Sequence, residues 1–415
     1  MFNTAANVPF SEIESRITRL QRNLQEQNLD GALILQNTDL YYLAGTIQQS
    51  HLYIPSAGDP LLMVRKSYDR ARAESPLKNV VPLDSPKKIP DILKSHGLQV
   101  PLRLGMELDV LPVNLFRTYE YILQGPDIVD ISLALRSLRA VKSPYEIDII
   151  TRASGFSDQV AAHTRECIRS GMTELELAGL VEAYARKLGH QGIVRMRMWG
   201  AEMFYGHLLC GPSAAVPSYL ASPTGGDAAN PAVAQGAGHT RIAVGQPILL
   251  DYVFALNGYV SDHTRIFAIE SLPDDLLAAH ESMLQLQERI KMEAKPGVSV
   301  GFLYDLAVHL AAEAGYGDYF MGAEKQRIRF IGHGVGLELD ELPILAKGQE
   351  AVLEENMVIA LEPKLIFPGR GVVGIENIHV VTREGLKQLG RYPDTVSIVP
   401  DSRTAPNPQT QHQIT

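Results

Sequence analysis

Apolar and polar residues follow two different periods along the chain, which predicts both helices and strands. From Ile13 to Gln27 the apolar residues recur at helical spacing, as on one face of an amphipathic helix. The run DGALIL, Asp30–Leu35, follows directly and is typical of a buried strand. Two further apolar runs, PLLMV at 60–64 and LRLGME at 102–107, alternate with charged, helix-like stretches. This alternation predicts a fold of the α/β (α+β) class.

A polar stretch that contains a proline, RAVKSPYEID at 139–148, separates two predicted domains. It opens a long amphipathic pattern, and a second helical stretch runs from Glu174 to Leu188. Between Gly200 and Gly245 the sequence is rich in glycine and proline without a clear period, and such long irregular stretches are often functional. We therefore predict an N-terminal domain over 1–138, a larger domain over 139–400 and a disordered polar tail over 401–415.

The dipeptide Asn257–Gly258 lies between two β-rich runs and predicts a hairpin with a two-residue turn. In that register Asp251 faces Thr264, and Asp251 and Asp262 become diagonal neighbours on one face, roughly 7–8 Å apart at the backbone. A bound cation would relieve the repulsion between the two carboxylates. The alternative is a solvated polar face, which the apolar residues on the same face, such as Val253, disfavour.

Two glutamates interrupt apolar runs near the C-terminus, in VIALEPKLIF and VVGIENIHVV. A turn of three residues around Pro368 would place Glu362 directly opposite Glu376. Buried carboxylates are rare unless they are paired or bind a metal, so a shared metal site is one interpretation. A structural salt bridge is the alternative.

His333 lies between Gly332 and Gly334 in IGHGVGLELDE, where the glycines allow a close approach of backbone and ligand. A histidine by itself is more often an ordinary polar residue. Together with the four carboxylates it suits two divalent ions, with manganese favoured and cobalt, zinc or iron as alternatives. The predicted metal ligands are Asp251, Asp262, His333, Glu362 and Glu376.

Composition and charge narrow the other classes of function. The chain has 415 residues, 45% of them hydrophobic and 20% charged, with a net charge of −9 and no basic run, which disfavours nucleic-acid partners. Its two cysteines, Cys167 and Cys210, are too few for a disulfide framework. No stretch approaches the ~18 apolar residues of a membrane span, and the N-terminus lacks a signal-peptide pattern. We therefore predict a cytoplasmic protein that does not bind membranes.

The ordered motifs DYVFALNGYVSDHTR, GHGVGLELDE, ALEP and GIEN resemble those of the pita-bread metallopeptidase family. That family includes Xaa-Pro dipeptidase, aminopeptidase P, creatinase and methionine aminopeptidase. All five ligand positions hold the residue types of the family, and the step of eleven residues from Asp251 to Asp262 is also the family's. The segments RLQRNLQEQNLDGALIL, DLYYLAG and RAVKSPYEI resemble two-domain, prolidase-like members.

The resemblance implies a small N-terminal creatinase-like domain, a pseudo-symmetric pita-bread catalytic domain at the C-terminus, and a homodimer. It also implies that Asp262 and Glu376 bridge the two metal ions, while Asp251 completes one site and His333 the other. Glu362 would ligate a metal and shuttle a proton from the water that attacks a carbonyl carbon.

Two positions depart from the family pattern. The imidazole expected seven residues after His333 is replaced by Asp340, and a second imidazole upstream is replaced by Ala232–Ala234 or, in another alignment, by Ser218. Those imidazoles bind the substrate carbonyl and the oxyanion, which a carboxylate cannot do. We therefore predict His207 as a catalytic donor, although it could be an ordinary histidine, and Asp340 and Tyr205 as substrate-binding residues.

The resemblance thus implies a dinuclear metal-dependent hydrolase that cleaves a small peptide or amide in the manner of Xaa-Pro dipeptidases and aminopeptidases. Two alternatives stay open. One is a metal-dependent lyase or an amidine or amide hydrolase with a small cationic substrate, which Asp340 would favour. The other is a non-catalytic partner-binding protein, which the complete set of metal ligands disfavours.

Overall fold

The structure is a computed structural model that describes residues 7–202, 205–218 and 222–401. It divides into two compact units. The first contains the residues up to Arg139 and the segment Arg197–Gly200, and the second contains the remainder. Both units combine helices with β-sheets, which confirms the α/β class. The tail that the sequence predicts to be disordered lies, from residue 402 onward, outside the described residues.

The first unit is built on a six-stranded sheet with the strand order β4-β3-β2-β1-β5-β6. Its strands are β1 Gly31–Ile34, β2 Ser50–Pro55, β3 Leu61–Val64, β4 Val80–Pro82, β5 Arg103–Met106 and β6 Asp127–Asp130. Its helices are α1 Phe10–Glu26, α2 Asn37–Ala44, α3 Tyr68–Glu74, α4 Ile89–Ser95, α5 Val113–Ile122 and α6 Ser132–Ala140. Helix α1 buries the apolar stripe that the sequence predicts: Ile13, Ile17, Leu20 and Leu24.

The chain returns to the first unit at Arg197, far from the domain boundary that the sequence indicates. The buried guanidinium of Arg197 lies 2.8 Å from Asp39 Oδ2 and 2.6 Å from Asp109 Oδ2. Arg139 pairs with the other oxygen of Asp39 at 2.9 Å. The carboxylate of Asp39 therefore has a partner for each oxygen, as a buried charge requires.

The second unit contains three sheets. Their strand orders are β17-β9-β8-β7, β11-β10-β12-β15-β16 and β13-β14. The strands are β7 Gly206–Cys210, β8 Ile248–Leu256, β9 Tyr259–Ile269, β10 Phe330–Gly334, β11 Glu341–Ala346, β12 Val358–Leu361, β13 Lys364–Phe367, β14 Gly371–Gly374, β15 Asn377–Thr382, β16 Gly385–Gln388 and β17 Ser397–Val399.

Four helices cover these sheets in two pairs. The helices are α7 Pro144–Cys167, α8 Glu174–Lys187, α9 Asp274–Glu293 and α10 Val300–Glu313. The first pair, α7 and α8, shares a core with the sheet that contains β8 and β9. The second pair, α9 and α10, shares another core with strands β10 to β16. Among the described residues, no helix has both the length and the apolar character needed to cross a membrane.

Strand β7 lies within the region that the sequence presents as irregular. Its five residues pair antiparallel with β8, so their conformation depends on a partner about forty residues further along the chain. Glu174, the first residue of α8, holds this strand: its Oε1 accepts from the Cys210 N–H at 2.7 Å and its Oε2 from the Gly238 N–H at 2.8 Å. The irregular region is thereby fixed to the first helix pair.

Helix α7 begins at a capping box that the polar stretch at 139–148 supplies. Ser143 Oγ accepts from the Glu146 N–H, and the Glu146 carboxylate accepts from the Ser143 N–H. We expect Ser143→Ala to lower the free energy of unfolding by about 1 kcal/mol, because it leaves an N–H of the first turn without an acceptor. Urea unfolding measures this. The control is Ser282→Ala, whose hydroxyl lies on the exposed side of α9. Equal stability of the two variants would contradict the role of the cap.

Candidate metal centre

Asp251 and Asp262 lie on the two strands of the predicted hairpin. Asn257 and Gly258 both have positive φ, 49° and 90°, as a type I′ turn requires. The register pairs Asp251 with Thr264 and Val253 with Asp262, which confirms the predicted pairing. Because residues two apart on a strand share a face, both aspartates project to the same side of the ribbon.

Glu362 and Glu376 lie opposite each other, between two segments of one long, interrupted ribbon. Strands β12 and β15 pair up to Leu361 and Asn377, and β13 and β14 resume with Lys364 and Gly374. The register is unchanged across the break, so the predicted pairing of the glutamates is confirmed. At the break Thr264 joins the two ribbons: its N–H donates to the Glu376 carbonyl at 3.2 Å and its hydroxyl to Glu376 Oε2 at 2.9 Å.

His333 enters the same space from β10. Its Nδ1 lies 3.1 Å from the carbonyl oxygens of Gly334 and Leu339. Since both neighbours are acceptors, Nδ1 carries the proton and Nε2 keeps its lone pair. Nε2 points to the carboxylates, 3.8 Å from Glu362 Oε1 and 4.0 Å from Asp262 Oδ2. The histidine is therefore held in the tautomer that can bind a metal.

The glycines on both sides of His333 are required by close backbone contacts. A Cβ at Gly332 would lie 2.3 Å from the Ala360 carbonyl oxygen, and one at Gly334 would lie 2.1 Å from the Leu342 carbonyl oxygen. Neither position leaves room for a side chain. The close packing of β10 against both neighbouring strands thus fixes the backbone of His333.

A divalent ion fits among Asp262, His333 and Glu376. One ligand atom from each of these buried residues lies within 4.8 Å of the others. Asp262 Oδ1 is buried and has no hydrogen-bond partner among the described residues. A buried carboxylate oxygen without a donor is costly, and a cation would satisfy it. The donors, two carboxylates and an imidazole, are those that manganese, iron, cobalt and zinc accept.

The cluster is electrostatically frustrated without such a cation. Burial and the neighbouring carboxylates of Glu376 and Asp251 raise the pKa of Asp262 well above its usual value. Burial also raises the pKa of Glu376 to about 8, although Lys364 opposes the shift. For His333, burial favours the neutral ring, but nearby carboxylates, above all Asp340, outweigh it and raise the pKa. The raised pKa values indicate that the negative charge of the cluster exceeds the positive charge that Lys364 supplies.

A lysine that the sequence analysis overlooks lies inside the cluster. The buried ammonium of Lys364 donates to Asp251 Oδ2 at 3.1 Å, Glu362 Oε2 at 2.9 Å and Glu376 Oε2 at 2.8 Å. The register that places Glu362 opposite Glu376 also places residue 364 on the same face, two positions along the strand. The sequence feature that could have revealed this lysine is a single charged residue directly before the apolar run LIF.

The comparisons with known proteins agree with this geometry. The model of metallopeptidase family M24 matches residues 148–383, and that of the creatinase/prolidase N-terminal domain matches residues 16–141. The chain belongs to metallopeptidase family M24. It is therefore a hydrolase of the metallopeptidase type that depends on divalent metal ions. The lyase, amidine hydrolase and partner-binding alternatives are not favoured.

Similar proteins match over nearly the whole chain. The Xaa-Pro dipeptidase of Pyrococcus furiosus is 30% identical over 383 residues, which cover 91% of this chain and 98% of that protein. The solved structure of an Xaa-Pro dipeptidase from Bacillus anthracis has a TM-score of 0.79 at 25% identity and covers 93% of this chain and 100% of its own. The prolidase of Pyrococcus horikoshii has a TM-score of 0.76 at 26% identity and covers 91% of this chain and 99% of its own.

His207 lies beside the cluster, on the same face of its sheet as Asp251. It pairs directly with Asp251 across β7 and β8, and directly opposed residues project to the same side. Its ring is buried, and Nδ1 lies 3.0 Å from Thr224 Oγ1. Burial lowers the pKa of His207, with Asp251 acting in the opposite direction and Lys364 in the same one. A neutral imidazole is thus placed next to the carboxylates.

The structure places the other two predicted residues differently. Tyr205 packs against His190 and Tyr252, with ring centroids 4.4 and 6.0 Å apart, on the face of the sheet away from Asp251. Gly206, with φ of 134°, turns the chain between Tyr205 and His207. Asp340 is half-exposed, and its Oδ1 lies 3.7 Å from His333 Nδ1, behind the ring. No described contact brings Tyr205 to the carboxylates, and its binding role stays a prediction.

The upstream position at which the family resemblance implies an imidazole offers no replacement donor. Residues 232–234, which replace the upstream imidazole in one alignment, are exposed, and Ser218, which replaces it in the other, is half-buried. Neither offers an aromatic donor to the cluster. Among the predicted residues, His207 and His333 are the imidazoles that the structure brings to the carboxylates.

A buried ion pair positions the loop that holds His333. Lys142 Nζ lies 3.1 Å from Glu341 Oε2. Glu341 Oε1 accepts from the backbone N–H groups of Leu337 and Glu338, at 2.8 and 3.1 Å. These residues directly precede Leu339, whose carbonyl binds His333 Nδ1. The pair therefore acts through the backbone on His333, a predicted metal ligand.

We expect Lys142→Met to lower the free energy of unfolding by about 3–5 kcal/mol and to weaken metal binding, because it leaves the Glu341 carboxylate buried without a counter-charge. The double variant Lys142→Met/Glu341→Gln should recover a large part of the loss, since the amide oxygen can still accept from the loop. Chemical denaturation and metal titration measure both effects. The control is the exposed Lys347→Met. No difference between Lys142→Met and this control would refute the positioning role.

Proposed function

We propose that this protein hydrolyses short peptides with proline in the second position, as the names of its relatives describe for them. The observation that carries the proposal is the buried group of Asp262, His333 and Glu376, in which Asp262 Oδ1 lacks a donor among the described residues. The similarity to Xaa-Pro dipeptidases over 91% of the chain supports it. The substrate class is thus a small peptide.

A divalent ion held by these residues supplies Lewis-acid chemistry, which acidifies water and polarises a carbonyl group. The residues of this chain do the rest. We assign the proton of the attacking water to Glu362 Oε1, because Oε2 already accepts from Lys364 at 2.9 Å. That hydrogen bond holds the carboxylate in one orientation, as a proton acceptor requires. Thr264 holds Glu376 in the same way through its hydroxyl, at 2.9 Å.

His207 is the proposed donor to the oxyanion. Its ring lies on the same face as Asp251 and is neutral, because burial lowers its pKa. A neutral ring carries one N–H, which can donate to a developing negative charge. This would replace the family imidazoles whose positions hold Asp340 and either Ala232–Ala234 or Ser218 here.

The finer predictions from the sequence are proposed on the same basis. Manganese is the proposed metal because the carboxylate-rich donor set suits a hard ion. A homodimer is implied by the family resemblance, and a cytoplasmic location by the small number of cysteines. Elemental analysis of the purified protein and its mass in solution by light scattering test the first two.

The substrate class is tested with purified protein, stripped of metal and then supplied with manganese, cobalt or zinc. We expect turnover of Xaa-Pro dipeptides and much slower turnover of matched Xaa-Ala dipeptides, with loss of activity in chelator. Longer Xaa-Pro peptides and small cationic amides complete the panel. Turnover of the amides alone would overturn the peptidase proposal.

Glu362→Gln should lower kcat by roughly 10²–10⁴, with a smaller effect on KM, because the proton transfer contributes in the transition state. Steady-state kinetics on an Xaa-Pro dipeptide measure this, and metal content is determined on the same preparation. Glu355→Gln is the control, since Glu355 pairs with Arg383 on the surface. A Glu362 variant with unchanged kcat and a raised KM would contradict the assigned role.

His207→Ala should lower kcat by roughly 10²–10³ with metal content unchanged, the size expected for one oxyanion donor. The matched control is His239→Ala, a histidine exposed to solvent. Both quantities are measured on one preparation, so that a loss of metal is not mistaken for a loss of catalysis. Near-normal turnover of His207→Ala would make this histidine structural.

A further inference from the structure

The ammonium of Lys364 lies among three of the predicted metal ligands. Its ammonium has three N–H groups, and each donates to a carboxylate oxygen: Asp251 Oδ2 at 3.1 Å, Glu362 Oε2 at 2.9 Å and Glu376 Oε2 at 2.8 Å. The side chain is 1% exposed. The hydrogen-bonding capacity of the ammonium is thus fully used inside the cluster.

The fold makes room for this lysine. Lys364 is the first residue of β13 and pairs with Gly374 on β14, which has φ of 149°. A Cβ at Gly374 would lie 2.6 Å from Lys364 Cα and 3.1 Å from Lys364 Cγ. A side chain at residue 374 would therefore collide with the lysine and its backbone. The glycine accommodates both the strand and the stem that carries the ammonium.

Two cations cannot share the cage that surrounds Lys364. Metal–oxygen bonds to carboxylates are about 2.0–2.2 Å long, so an ion bound to the same three oxygens would lie almost on top of the ammonium. Like charges at such a distance repel strongly in a buried site. The carboxylates of Asp251, Glu362 and Glu376 already surround one positive charge.

We propose that the ammonium group of Lys364 takes the place of one of the two metal ions, so that each chain binds a single divalent ion. This rests on the proposed metal-dependent function and replaces the prediction of a dinuclear site. The proposed ligands of the single ion are Asp262, His333 and Glu376, which each offer one ligand atom within 4.8 Å of the others.

Each of those ligands has an atom available. Asp262 Oδ1 has no hydrogen-bond partner in the described part of the chain, and His333 Nε2 carries a lone pair. Glu362 accepts from Lys364 through Oε2, and its Oε1, 3.8 Å from His333 Nε2, is kept for the proton of the attacking water. Glu376 uses Oε2 for Lys364 and Thr264, which leaves Oε1. Asp251 forms an ion pair with Lys364 and is not a ligand of the metal ion in this proposal.

The first experiment counts metal ions in the unmodified protein. Metal-free protein is titrated with manganese, bound metal is measured by elemental analysis, and the spin-resonance spectrum is recorded. We expect one ion per chain with the spectrum of an isolated ion. Two ions per chain with an exchange-coupled spectrum would overturn the inference and leave the proposed function standing. No bound ion at saturating manganese would overturn both.

The second experiment removes the ammonium. Lys364→Met keeps most of the side-chain volume without the charge, and Lys364→Gly also empties the cage. We expect both variants to bind a second manganese ion and to show an exchange-coupled spectrum. The control Lys387→Met, at an exposed lysine of β16, should bind one ion. One uncoupled ion in both Lys364 variants, with folding verified by circular dichroism, would overturn the inference. The wild-type count decides the question if neither variant folds.

Discussion

The second unit depends on one electrostatic constraint: the buried carboxylates of Asp262, Glu362 and Glu376 and the partly buried one of Asp251 lie close together and need positive charge. Burial and mutual repulsion raise the pKa of Asp262 well above its usual value and that of Glu376 to about 8. Buried charges are tolerated when they are paired or bind a metal. Lys364 supplies one counter-charge from within the chain, and the open oxygen of Asp262 marks where another is missing. Metal dependence therefore follows from the stability of the carboxylate cluster as well as from the chemistry.

The pairing register of each ribbon brings its carboxylates together, and Thr264 and Arg265 connect the two ribbons by hydrogen bonds. Each ribbon places its two acidic residues on one face, and Thr264 binds the second ribbon through Glu376. The buried Arg265, next along β9, donates to the Glu376 carbonyl at 3.0 Å and to Asn377 Oδ1 at 2.8 Å. Since a slip of one residue would turn every side chain to the opposite face, these contacts preserve the site as well as the fold.

The sequence predicts what local rules determine and misses what long-range pairing determines. The two-residue turn at Asn257–Gly258 fixes the register of strands β8 and β9. The pairing of Asp251 with Thr264 therefore follows from the sequence by counting residues back from the turn. Strand β7 has no periodic pattern of its own and depends on β8. Tyr205 looks like a neighbour of the site, but the positive φ of Gly206 sends it to the other face. Lys364 could have been placed in the cluster by continuing the register of the second ribbon two residues beyond Glu362.

Asp340, which stands where the family resemblance implies an imidazole, is consistent with metal binding at His333 but cannot serve as the oxyanion donor. Asp340 lies on the Nδ1 side of His333, where its negative charge and the Leu339 carbonyl both favour a proton on that nitrogen. Nε2 would thereby be kept for a metal ion. A carboxylate in this position cannot donate to an oxyanion, however, and the exposed residues 232–234 cannot either. The buried ring of His207, which lies across from Asp251 and whose pKa is lowered by burial, is the imidazole that we propose for that role, on strand β7 rather than in the loop after β10.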